Sequence, residues 1–395
     1  MNNELINKSV DALGEYLIAT RRYLHERPEL SGCEFETSKY LKDEIKKLGL
    51  PITEVEGTGF YASLDTGKPG KTLGLRTDID ALPIMEAENN TNGKRIVRSK
   101  NDGVFHACGH DGHMTILLGA MKVLIDLKDE LTGKIIFIFE EGEETSSGIG
   151  PMIEALSKEN IDAFYGNHLA SFLDTGKIGI DGGPIMAGFG MVDFTIRGRG
   201  GHGSRPDLSI SPIFAASQVI NALASAWVNR LDVGKTVTLG LGSINGGSIA
   251  NVIPDTVNVK GTLRFFDVEE GQKALELVKK VGTYTAMAHE CEFIANELVV
   301  LNDPLINDES LAAFARESIG EMMPEVLTDK VTWYASETFS SYSKLAPSLF
   351  TLLGSRNESK GTTAEHHNEY FDIDEDSLAI GIKAMAKFAC EYLSK

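Results

Sequence analysis

Apolar residues in the first fifty positions recur at helical spacing. Leu13, Leu17 and Leu24 share one face within Val10–Leu48, Pro28 breaks the run, and Leu41, Ile45 and Leu48 mark a second helix from about Thr37 that Gly49 closes. The period then shortens. Tyr61–Leu64 and Thr72–Arg76 read as strands either side of the turn Thr66-Gly-Lys-Pro-Gly70. Met114–Leu127 is predicted as an amphipathic helix with Leu117, Leu118, Met121, Leu124 and Ile125 inward. Lys134–Phe139 is a continuous apolar run, the pattern of a strand buried on both faces, and Ala163–Gly166 is a shorter one. Alternating strands and helices predict an α/β fold with a mainly parallel sheet.

Near Gly188 the character changes. Met191–Arg197, Thr236–Gly242 and Val257–Phe266 alternate as strands, and Pro212–Trp227 and Gln272–Ala288 read as helices. This block, strand-helix-strand-strand-helix, predicts an inserted α+β domain with an antiparallel sheet. From about Asn302 helix and buried strand return, with Ser348–Leu353 the strand, so the first domain resumes. The organisation expected is residues 1–187 and 302–395 for one domain and 188–301 for the insert.

At 395 residues and 42% hydrophobic content the chain supports two domains. A formal net charge of −19 repels phosphate backbones and argues against nucleic-acid binding. Cys33, Cys108, Cys291 and Cys390 are scattered, with no CxxC pair, as expected in a reducing compartment. Met1–Lys8 lacks an apolar signal core, and no apolar run reaches the roughly 20 residues that span a bilayer, so the expectation is a cytoplasmic protein without a membrane anchor.

The chemistry concentrates in four places. His106-Ala-Cys-Gly-His-Asp-Gly-His113 packs three of nine histidines and one of four cysteines into one segment before a helix. Imidazole and thiolate suit zinc and its transition-metal neighbours, whereas the competing reading is a capping loop. Glu140-Glu-Gly-Glu-Glu144 follows a buried strand, and so many adjacent carboxylates repel one another unless cations lie close. Taken alone it reads as a solvated acidic loop. Gly166-Asn-His168-Leu and Leu75-Arg-Thr-Asp-Ile-Asp80-Ala-Leu-Pro83 also follow predicted strands. Sites in open α/β sheets form outside the carboxyl ends of strands, and these segments converge there.

The order Arg-x-Asp-x-Asp-Ala-Leu-Pro, His-Ala-Cys-Gly-His-Asp-Gly-His, Glu-Glu, Gly-x-His and a late His resembles the M20 metallopeptidases. Within them it is similar to the amidohydrolases that include hippurate hydrolase, N-acetyldiaminopimelate deacetylase and the plant auxin-conjugate hydrolases. The resemblance runs from His25-x-x-Pro28-Glu-Leu-Ser31 to His366-His-Asn-Glu-Tyr-Phe371. It implies a three-layer α/β/α zinc-peptidase-like catalytic domain with an inserted ferredoxin-like lid that dimerises.

The resemblance also implies two divalent ions per chain, chosen among Zn, Mn, Co and Ni, held by Cys108, His110, Glu144, His168 and His367, with Cys108 able to bridge. His366 is the neighbouring alternative to His367. Glu143 would be the general base and Asp80 an orienting residue, with Asp78 as support where wider relatives carry a ligand histidine. In the insert, Gly198-Arg-Gly-Gly-His202-Gly-Ser-Arg-Pro206 would bring His202 to the carbonyl oxygen, often in the other subunit's site, or else is only a flexible loop. Asn251 and Arg264 would hold the substrate carboxylate, Arg264 by a bidentate fork, against the plainer reading of a salt-bridged strand arginine.

The implied reaction is hydrolysis of a small N-acyl amino acid by a homodimer, with a dipeptidase or carboxypeptidase as the alternative and a non-enzymatic metal-binding scaffold as the outsider. Three departures lie beside the metal segment and bear on specificity. They are Glu140-Glu141-Gly142 in place of Gln-Pro-Ala, Thr145-Ser-Ser-Gly148 in place of a Gly-Gly run, and Glu369 in place of a proline.

Overall fold

The computed structural model describes residues 3–394; Met1, Asn2 and Lys395, the first two of them part of the N-terminal reading above, lie outside the described residues. The chain divides into two compact units, residues 1–183, 306–331 and 341–395 in one and 184–305 and 332–340 in the other. Among the described residues no helix is long and apolar enough to cross a membrane.

The first unit is built on a seven-stranded sheet. From edge to edge it runs Ile52–Glu54, Phe60–Asp65, Lys134–Glu140, Thr72–Asp78, Ala163–Asp174, Ser348–Arg356 and Ile178–Gly179. The four strands from Lys134–Glu140 to Ser348–Arg356 are mutually parallel. The outer strands pair antiparallel, so the sheet is mixed rather than mainly parallel. Six consecutive buried residues in Lys134–Glu140, and as many in Thr72–Asp78, show that both faces of the centre are covered, which explains why these strands read as unbroken apolar runs.

The helix expected from Met114 begins four residues earlier, spanning His110–Asp126. Gly109, at φ +86°, makes the turn into it, a conformation that costs glycine little. Nor is this helix amphipathic. It is buried nearly all round, because it packs against the sheet and the helices Gly14–His25 and Asp376–Leu393. The N-terminal stretch is three helices, Asn3–Asp11, Gly14–His25 and Phe35–Lys47, rather than two.

The second unit has a four-stranded antiparallel sheet in the order Val237–Asn245, Thr256–Phe265, Gly188–Arg197, Glu292–Asn302. The helices Pro212–Arg230 and Val268–Ala288 pack on one another and on this sheet. Val192, Phe194, Ile196, Val219, Leu223, Val259, Leu263 and Val278 form its own core. Glu292–Asn302 escaped the sequence reading because its register shifts between Ala295 and Glu297, which breaks the alternation a strand is recognised by. Thr332–Ser340 joins this unit through backbone bonds such as Ala187 N–H to Trp333 O at 3.2 Å.

Separate cores predict separable losses. Phe137 and Phe194 are fully buried, one in each core. Phe137→Ala and Phe194→Ala should each cost about 3–5 kcal/mol in the unit that holds them. Both tryptophans, Trp227 and Trp333, lie in the second unit. Denaturant unfolding followed by tryptophan fluorescence should therefore move directly with Phe194→Ala. Phe137→Ala should shift mainly the circular-dichroism transition; equal shifts of both signals in both variants would contradict this.

Candidate metal centre and active site

Four segments of the first unit converge at the carboxyl ends of its parallel strands. Cys108 sits just before Gly109, and His110 opens the following helix. Gly142, at φ +59°, turns the chain out of Lys134–Glu140 into the short helical turn Glu143–Thr145. His168 lies within the strand Ala163–Asp174, not beyond a short one as the sequence pattern implied. That strand is prolonged because it pairs with Ser348–Arg356, where His168 is opposite Leu352. His367 comes from a loop whose backbone N–H donates to Ala107 O at 3.0 Å, tying it to the Cys108 segment.

The side chains form overlapping groups. Donor atoms of Cys108, His110 and His168 all lie within 4.8 Å of one another, as do those of Cys108, Glu144 and His367, and of His110, Glu143 and Glu144. Cys108 Sγ is 3.4 Å from His168 Nε2, Glu144 Oε1 is 3.3 Å from His367 Nε2, and His110 Nε2 is 3.8 Å from Glu144 Oε1. The structure thus gathers all five sequence-predicted ligands and Glu143.

Orientation is set from behind. His110 Nδ1 faces the backbone oxygen of Asp80 at 3.0 Å and its Oδ1 at 3.1 Å, so Nδ1 carries the proton and Nε2 offers its lone pair to the cluster. Asp80 Oδ2 accepts from Ser31 Oγ at 2.7 Å and from Glu144 N–H at 3.0 Å. His168 Nδ1 donates to Leu169 O at 2.8 Å, which leaves its Nε2 toward Cys108. His113 Nδ1 donates to Asp78 Oδ1 at 2.8 Å and its Nε2 accepts from Leu169 N–H at 2.9 Å, so both its nitrogens are engaged by protein. The same holds for His366, which donates from Nε2 to Leu169 O at 2.8 Å and meets Ser171 Oγ at 3.1 Å through Nδ1. Burial pushes His366 down to about 3, keeping it neutral.

The donor set fits a cation. His110 Nε2 and Glu144 Oε1 are buried atoms that no hydrogen bond satisfies, an arrangement that costs free energy unless something else meets them. Burial, reinforced by the Glu144 carboxylate, pushes the Cys108 thiol well up, so a thiolate there needs a positive charge beside it. Burial opposes a second proton on His110, yet the Asp78 charge and the Asp80 hydrogen bond outweigh it and raise His110, so a proton and a cation compete for Nε2.

In the second unit, His202 and Asn251 lie side by side. His202 pairs with Val252 in a two-stranded ribbon, and Gly203 N–H donates to Asn251 O at 2.8 Å. The His202 ring is exposed, its Nδ1 accepting from Ser204 N–H at 3.1 Å. Arg264 stands on Thr256–Phe265 with its guanidinium 4.5 Å over the Phe189 ring. Its Nη1 is buried without a hydrogen-bond partner, and burial lowers its pKa.

Asp111 and His25 stand in the motifs above without a role, and Arg21 lies outside those motifs. Asp111 Oδ2 lies 2.8 Å from His25 Nδ1 and 2.9 Å from Arg21 Nε, directly beside His110. The spacing His25-x-x-Pro was the available signal, but the carboxylate partners of His25, Glu86 and Asp111, lie 61 and 86 positions away in sequence.

Residues 74–391 match Peptidase family M20/M25/M40. The chain is 34% identical to thermostable carboxypeptidase 2 of Saccharolobus solfataricus over 99% of both chains. It is 33% identical to N-acetyl-L-cysteine deacetylase of Bacillus subtilis over 94% of this chain and 86% of that one. The crystal structure of the Bacillus subtilis YXEP protein, a dinuclear metal binding peptidase from the M20 family, superimposes with a TM-score of 0.84 at 29% identity, covering 97% and 99% of the two chains. The chain belongs to Peptidase family M20/M25/M40 and is a hydrolase of the amidohydrolase and peptidase kind.

Proposed function

We propose that this protein is a two-metal amidohydrolase that cleaves the amide bond of N-acyl amino acids. The observation that carries the reading is the pair of donor triads meeting at Cys108, with His110 Nε2 and Glu144 Oε1 buried and unsatisfied. Cys108, His110 and His168 would serve one ion and Cys108, Glu144 and His367 its neighbour. Thiolate with imidazole suits Zn, Mn, Co or Ni. When bound, two such ions polarise the scissile carbonyl and acidify water.

The chain's own residues do the rest. Glu143, beside Glu144 yet outside the Cys108 groups, takes the proton of the attacking water and returns it to the leaving nitrogen. Asp80, bonded to both His110 and Glu144, holds the two ligands in register. Asn251 and the desolvated Arg264 guanidinium receive the substrate carboxylate. His202 donates to the carbonyl oxygen as negative charge develops there. The second unit, strand-helix-strand-strand-helix-strand, is read as a ferredoxin-like lid on a three-layer catalytic domain, and it carries the homodimer contact. The four free cysteines fit a cytoplasmic setting. The carboxypeptidase relative keeps a peptidase reading open for the same site, and a panel of N-acyl amino acids against dipeptides separates the two.

Three outcomes test these roles. The purified chain should take up about two divalent ions, chelation should abolish turnover, and Cys108→Ala should lose metal and rate together; full stoichiometry and rate in that variant would remove the assignment. Glu143→Gln should keep metal and substrate binding but lose about 10²–10⁴ in kcat, whereas Glu144→Gln should weaken metal binding. The reverse pattern would exchange their roles. Finally, chains carrying His202→Ala and Glu143→Gln, each inactive alone, should recover activity when mixed. One site of the mixed dimer then joins an intact Glu143 to His202 of the partner subunit. Proven subunit exchange without recovery would confine His202 to its own chain's site or to a structural part.

A further inference from the structure

Arg21 and His25, one turn apart on the helix Gly14–His25, are 3% and 1% exposed and take no part in the chemistry above. Their partners lie on the segments that carry the proposed ligands. Arg21 Nε is 2.9 Å from Asp111 Oδ2, and His25 Nδ1 is 2.8 Å from the same oxygen. Asp111 follows His110 directly, and its other oxygen accepts from Gly112 N–H at 2.9 Å, so it is rigidly part of the helix start. Arg21 Nη2 reaches Asp372 Oδ1 at 3.3 Å and Nη1 reaches Glu375 Oε1 at 3.5 Å, on the stretch that follows His367.

His25 Nε2 meets Glu86 Oε1 at 2.9 Å. Glu86 and Asp372 are joined in turn by Arg95, at 3.4 Å each, and Arg95 Nη2 donates to Glu369 O at 2.9 Å. One buried set of charges therefore spans the Cys108–His110 loop and the His367 loop.

Such networks are weak evidence for stability, because well-packed apolar side chains of similar volume commonly serve as well. What apolar packing does not supply is distance control. The Arg21 guanidinium holds carboxylate oxygens from both loops, Asp111 Oδ2 at 2.9 Å and Asp372 Oδ1 at 3.3 Å, and metal affinity depends on ligand atoms held to a fraction of an ångström.

We propose that Arg21 and His25 are positioning residues, a buried bracket that sets the spacing between the two ligand loops and thereby the affinity of the metal centre. The proposal rests on the two-metal reading above.

The test is a zinc competition titration against a chromogenic chelator on the full, metal-stripped chain, with thermal melting of the metal-free protein in parallel. Arg21→Met and His25→Gln should bind zinc about 10–100-fold more weakly than wild type. Arg21→Lys keeps the charge but not the fork, and should fall between them and wild type with a metal-free melting temperature close to wild type. Should Arg21→Met fail to fold, Arg21→Lys and His25→Gln carry the comparison. Zinc affinity matching wild type in the folded variants would overturn the bracket while leaving the metal reading intact. So would an affinity loss accounted for by melting of the metal-free chain. A wild-type chain that takes up no zinc would remove the metal reading and the bracket with it.

Discussion

Carboxylates buried at the strand ends of the first unit set the terms for everything around them. Asp78, Asp80, Glu140 and Asp111 are each fully buried, and an unanswered buried carboxylate is too costly to persist. Each is answered by a fixed donor. Arg76, itself inside the sheet, gives Nε to Glu140 at 2.8 Å and Nη1 to Asp78 at 2.9 Å, and Tyr342 donates to Glu140 at 2.7 Å. His113 closes the other side of Asp78. Because these partners are committed, the floor beneath the donor cluster has few alternative arrangements, and among the donor atoms above it His110 Nε2 and Glu144 Oε1 are left without a hydrogen bond.

The topology follows from the same need. Parallel pairing brings the carboxyl ends of Thr72–Asp78, Lys134–Glu140 and Ala163–Asp174 to one edge, which antiparallel neighbours would not do. Both faces of those strands are covered, so charge at their ends is met by Arg76 from within the sheet and by side chains from the loops and helix starts. Gly109 and Gly142, both left-handed, deliver Cys108–His110 and Glu143–Glu144 to that edge within two residues of the turn.

Much of this was legible in the chain. The buried run Lys134–Phe139, the density of His106–His113 and the Glu pair after a strand located the cluster, because metal-ligand chemistry and strand-end placement leave short, local marks. What escaped was non-local or masked by burial. The helix His110–Asp126 is enclosed on all sides, so amphipathicity was the wrong test for it, and its start was hidden by a glycine turn. The end of Ala163–Asp174 is set by a partner strand nearly two hundred residues away, which local pattern does not carry. A bulge concealed Glu292–Asn302. The choice of His367 over His366 rests on the resemblance alone, and nothing local in the chain separates the two. In the fold, His366 spends both nitrogens on Leu169 and Ser171, while His367 Nε2 faces Glu144.

His367 also shows how such a site is held. It is one of four described non-glycine residues with positive φ, at +59°, and Ser146, just after Glu143–Thr145, is another at +56°. A side chain in this region costs of order 1–3 kcal/mol and stays only where its surroundings over-determine it. The His366 bond to Leu169 O before it, the backbone bond from His367 to Ala107 O, and the Arg95 bond to Glu369 O with the ion pairs on Asp372 after it supply that constraint. With its ring half exposed at 51%, His367 gains little from burial in return. Packing therefore does not explain the strained conformation. Aiming its Nε2 at Glu144 does, and the strain is concentrated in the loop whose position the buried charges of Arg21, Arg95 and Asp372 control.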